Sequence, residues 1–170
     1  LIDANLISQL LVKKITKFPR ESGAVVIGVS AVPVAQNVMK GATKVILAQF
    51  TINAVNSNED VAFNALEIQQ KIDTLNHAGD VVNVFLSDGD RVIASVPNGA
   101  KVLNRYNVSF NPTLVVAKGT VKIISLRGDI SGAAAANGFQ QWGLPADAAV
   151  RAFGMSSAKT DIVNVVGGDG

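Results

Sequence analysis

The chain has 170 residues, enough for one domain with a substantial core and an appendage. Hydrophobic residues make up 48% and charged residues 16%, with a net charge of +2, which gives no argument for nucleic-acid binding. Such a surface is poorly solvated unless neighbours cover part of it, and the absence of cysteine excludes disulfides and thiolate chemistry.

The sequence opens on Leu1, so a starting Met is expected to precede it, and neither a signal peptide nor a membrane-length apolar run is visible. Asp3 is placed to cap a first helix, about 3–17, which carries Leu6, Ile7, Leu10, Leu11 and Ile15 and is closed by Pro19. Lys13, Lys14, Lys17 and Arg20 at its end read as a solvated face that suits the negative helix terminus. Ala24 to Val29 reads as a strand, and Pro33 to Gly41 as a loop. Val45 to Ile52 follows as a strand rich in β-branched residues and apolar on both faces.

Ser57 and Asp60 fit a capping box, and Val61, Ala65, Ile68, Ile72 and Leu75 recur at spacings of four and three. This pattern predicts a second main helix over about 58–77, with Glu67 and Lys71 paired on another face. His77, the one histidine, and Gly79 read as its C-terminal signals. Beyond it, Val81 to Leu86 and Arg91 to Val96 form a hairpin around Ser87-Asp88-Gly89-Asp90, which lacks the spaced ligands of a calcium loop. Pro97-Asn98-Gly99 is a turn into the strand Leu103 to Phe110, which Pro112 makes an edge or bulged strand. Leu114 to Ala117 and Val121 to Leu126 are expected to pair across Lys118-Gly119 as a final hairpin. A short helix from Pro145 to Phe153 and a strand from Ile162 to Val166 complete the reading.

The fold class that follows is α+β: a mixed or antiparallel sheet with two main helices packed on it, and a domain boundary at 127/128. Residues 128–170 are rich in glycine and alanine, yet carry Phe139, Trp142, Phe153, Ile162, Val163 and Val165. Those six are the candidate interface of an interaction arm, whose removal would leave the domain folded and weaken assembly. No nucleophile elbow, P-loop, dinucleotide fingerprint or zinc pattern is present, so no catalytic, cofactor or metal residue is assigned and no enzymatic activity is expected.

The strand Val45-Ile46-Leu47-Ala48-Gln49-Phe50-Thr51-Ile52, the periodic segment Val61 to Leu75, and Arg105, Tyr106 and Phe110 in a later strand together resemble bacteriophage tail terminator proteins, also called tail-completion or minor tail proteins. The resemblance covers roughly residues 3–117 and stops after Leu126. It implies a non-catalytic virion subunit, made in the host cytoplasm, that closes into a hexameric ring on the tail tube. Its implied partners are further copies of itself, the tail tube protein and the head-tail connector, with no cofactor, no membrane and no sequence-specific nucleic acid. Another neck, tube or capsid-associated protein, or a monomeric small-ligand-binding domain, is the alternative.

Overall fold

The computed structural model describes residues 24–72, 79–97 and 104–169. Among them lie strands β1 (Val25–Val29), β2 (Val45–Asn53), β3 (Val61–Ile72), β4 (Val81–Asp88), β5 (Arg91–Ser95), β6 (Arg105–Val116), β7 (Val121–Ile130), β8 (Gln140–Leu144), β9 (Val150–Gly154), β10 (Val163–Val166) and β11 (Gly168–Asp169), and no α-helix. Two sheets enclose one core. A six-stranded sheet has the order β10-β1-β2-β7-β4-β5. The other has the order β11-β8-β3-β6, with β9 also paired to β3.

The expected helix over 58–77 is therefore corrected: its first twelve periodic residues, 61–72, are strand β3. Val61 and Ile68 are seven apart, which puts them on one side of a helix but on opposite faces of a regular strand. The strand resolves this with a bulge at Asn64. Phe63 pairs with Ala152 and Ala65 with Arg151, so β3 carries one residue more than β9. The extra residue shifts the phase, and Val61, Phe63, Leu66 and Ile68 all enter the core. Opposite the same point β6 carries residues 110–113, and Thr113 donates to Asn64 Oδ1 at 3.0 Å. Pro112 therefore sits in a strand that is both at the edge and irregular, as its chemistry requires.

The cap residues have other duties. Asp60 Oδ1 accepts the Lys118 amide at 2.9 Å, and the Ser57 hydroxyl donates to the Glu59 carbonyl at 2.6 Å. Glu67 faces Arg105 at 3.7 Å and accepts the Ala149 amide, since on a strand a residue four places on is out of reach. The expected hairpin of residues 114–126 is also not formed. Leu114 pairs with Phe63, and β7 lies between β2 and β4, so Lys118-Gly119 carries the chain from one sheet to the other. The short helix expected from Pro145 to Phe153 is a turn followed by β9, which pairs with β3. The first helix, the basic cluster beside it, Leu75 and His77 lie outside the described residues.

Other expectations are met locally. β1, β2 and β10 lie close to the strands read from the sequence, and β4 and β5 pair antiparallel around Gly89-Asp90. Gly89 has φ +60, which the first position of a two-residue hairpin turn requires. Residues 128–170, read as an arm, supply the end of β7 and all of β8 to β11, and so contribute to both sheets of this chain. Where the chain switches sheets at Gly167, an added Cβ would stand 2.5 Å from Ala146 Cα, so only glycine fits.

Two outcomes are expected. Ile68 is fully buried, and Ile68→Ala should cost about 2–5 kcal/mol, read by chemical denaturation. Truncation after Arg127 removes β8 and β9 from beside β3 and β10 from beside β1, so the shortened chain should show no cooperative unfolding transition. A two-state melt near that of the full chain would contradict this topology.

Candidate functional site

The loop from 30 to 44, between β1 and β2, faces the segment 131–139, between β7 and β8. Between them lies a cavity of about 370 Å³, lined by Val38, Leu47, Val81, Ile130 and Ala134, with Gln36, Asp80 and Gln140 among its polar groups. A smaller space of about 140 Å³, lined by Pro33, Val34, Val45 and Phe139, shares Val38 and Leu47 with it. Together they form an apolar groove at one end of the sandwich. Its lining is unusually exposed for apolar side chains: Val34 is 74% accessible, Phe139 53% and Val38 39%.

Backbone and carboxylate ties hold the rim. Gly41 donates to the Ile130 carbonyl at 3.1 Å, and the Ile130 amide donates to Ala42 at 2.8 Å. Asp129 accepts the Lys44 amide at 2.8 Å and the Asn83 side-chain amide at 2.9 Å. Lys44 and Asn83 both adopt positive φ, +53 and +51, so this carboxylate fastens two strained positions at once. Asp80 Oδ1 accepts the Ala135 amide at 3.3 Å on the other wall. The floor is closed at Gly128, where a Cβ would meet Val81 at 2.8 Å and Leu47 at 3.0 Å.

The six residues expected from the sequence are not gathered here. Phe139 borders the groove, half exposed. Trp142 is 3% accessible within β8 and stacks on Tyr106 with ring centroids 5.7 Å apart. Its indole N–H has no hydrogen-bond partner among the described residues. Beside it the Tyr106 hydroxyl donates to Gln70 Oε1 at 2.8 Å, and burial pushes the phenol's pKa up. Phe153 is half-buried in β9, Ile162 is buried, and Val163 and Val165 pack from β10 against the core. Trp142, Ile162, Val163 and Val165 contribute to the core of their own chain.

The sequence reading missed Val34 and Val38. They lie in an irregular loop with no spacing to mark them, and the available signal was several large apolar residues in a segment with no periodicity. Away from the groove, Arg105 grips Asp147 with two hydrogen bonds of 3.2 and 2.7 Å, which lower the carboxyl's pKa. Glu59 accepts the Ser156 and Ser157 amides and the Ser157 hydroxyl, and these bonds hold its pKa down as well. Both clusters satisfy their own loops. Among the described residues no group of three or more His, Cys, Asp or Glu is placed to hold a metal ion. The groove offers apolar surface and small notches, suited to receiving an apolar side chain.

The Asn83 and Lys44 hydrogen bonds depress the Asp129 pKa below its ordinary 3.8. A depressed carboxyl stabilises the fold above the unfolded value, and that contribution is lost as pH falls through the folded one. Asp129→Ala should therefore lower the Tm at pH 7, and the gap from wild type should narrow as the pH is taken below 3.8. A gap that stays constant with pH would contradict this role. Neither the protein-family models nor the curated proteins compared with the sequence give a match, so function is argued from this geometry.

Proposed function

We propose that this chain is a non-catalytic structural subunit that assembles head to tail with further copies of itself. One observation carries the reading: apolar surface is exposed at both ends of the sandwich. At the loop end lies the groove with Val34, Val38 and Phe139. At the opposite end, where β2 finishes and β7 begins, Val55, Val115, Val121 and Ile123 are exposed. Two different patches on one molecule support a heterologous contact, in which the turn end of one copy seats in the groove of the next. Such a contact closes into a ring or runs as a filament, according to the rotation per copy.

The groove is concave and fastened at its rim by Asp129 and Asp80, whereas Val121 and Ile123 lie on a strand, so neither face needs to reorganise on association. A phage tail ring is the finer form of this reading. The resemblance that suggested it counted Val61 to Leu75 as a helix, and the part of that segment described here is strand. What remains supported is the coarser statement of a self-assembling structural subunit.

Sedimentation tests it. Wild type at micromolar concentration should exceed the 17.7 kDa of one chain. Val34→Glu with Phe139→Glu, and separately Val121→Glu with Ile123→Glu, should each give monomers. An equal mixture of the two variants should give dimers, because each retains the end the other has lost. A wild type that sediments only as a monomer, or variants that fail to complement on mixing, would overturn the head-to-tail reading.

A further inference from the structure

Every pairing between described strands is antiparallel except one: β1 pairs with β10 in parallel, Val25 opposite Val163 through Gly28 opposite Val166. Parallel pairing is slightly the weaker per residue, so its use here gains nothing in equilibrium stability. It joins the first described strand to the last strand of the six-stranded sheet. The Val25 amide extends the seam by donating to the Ile162 carbonyl at 3.1 Å.

After Val166 the chain does not turn back. It passes Gly167 in the notch against Ala146, and a Cβ added to Gly168 would then stand 3.7 Å from Val29 Cβ, beyond the far end of the seam. There β11 pairs with β8, Gly168 opposite Leu144 and Asp169 opposite Gly143, so the last strands are fastened first to one sheet and then to the other. The described chain thus enters at the turn end, beside Asn53, and leaves at the loop end.

We propose that the β1–β10–β11 seam is a mechanical clamp that lets the subunit carry tension between its two ends. Tension along that axis draws β1 toward the turn end and β10 toward the loop end. The force runs parallel to the strands and perpendicular to their hydrogen bonds, so the bonds of the seam are loaded together and must fail together. Had β1 and β10 been antiparallel neighbours, both would be pulled from one end and the bonds would open singly. β11 is loaded in shear against β8 in the same way. Val163 and Val165, packed on the core, add apolar contacts that must break in the same event. This goes beyond the self-assembly reading, since it concerns the resistance of one isolated chain.

Single-molecule pulling on the full chain tests it. The native sequence has no cysteine, so Thr160→Cys, at an exposed position just before β10, provides a unique handle. Pulling between the two chain termini loads the seam in shear; pulling between the N-terminus and Cys at 160 parts β1 from β10 starting at Ile162. At one loading rate the terminal geometry should unfold at several times the force of the other, although the folded protein and its equilibrium stability are the same, because forced unfolding reads the barrier. Equal forces, or a lower force between the termini, would overturn the clamp. Either result is independent of whether the chain self-associates, because each molecule is pulled alone.

Discussion

One extra residue in β3 sets the geometry on which the rest of the molecule depends. β3 has β6 along one edge and both β9 and β8 along the other, so it organises its whole sheet. For that strand to face the core with Val61 and Phe63 at one end and Leu66 and Ile68 at the other, its alternation must slip by one, and the bulge at Asn64 supplies the slip. Without it, one of the two pairs would face away from the core. Burial of such side chains contributes about 1.5–3 kcal/mol each, so the cost of the irregularity is easily offset.

The same residue explains why part of the fold was hidden in the sequence. A spacing that mixes intervals of two and three imitates the fours and threes of a helix, and Ser57 with Asp60 supplied matching cap chemistry. Those side chains satisfy backbone groups, as a cap does, but the Asp60 partner is the amide of Lys118, remote in sequence. Pairing partners are a second kind of hidden information. The segments around Lys118-Gly119 are correctly strand-like, yet nothing local shows that they belong to different sheets. What was legible rested on local chemistry: the β-branched run of β2, the turn at Gly89, and the exclusion of Pro112 from a regular central strand.

The C-terminal quarter illustrates how composition misleads. Glycine and alanine suggested an interaction arm, but two of the glycines stand where chains approach closely, Gly167 against Ala146 and Gly154 against the Glu59 carboxylate. Small residues here permit dense packing between sheet edges. Of the large apolar residues among them, Trp142 and Ile162 are buried in their own chain, whereas Phe139 stays exposed beside loop 30–44, and further exposed apolar surface lies at the opposite end, where β7 begins. Sequence pattern located the apolar residues; only the topology separated those that build the core from those that remain available to a neighbour.

Amide hydrogen exchange resolved by NMR tests the central claim, that β3 is a bulged strand bonded along both edges. Successive amides from Ala65 to Gln69 should all be strongly protected, because alternate N–H groups point to β6 on one side and to β9 or β8 on the other. Along β6, from Arg105 to Ser109, protection should alternate, since every second N–H has no strand to face among the described residues. Helical carbon shifts across residues 61–72, or alternating protection within β3 itself, would contradict the account.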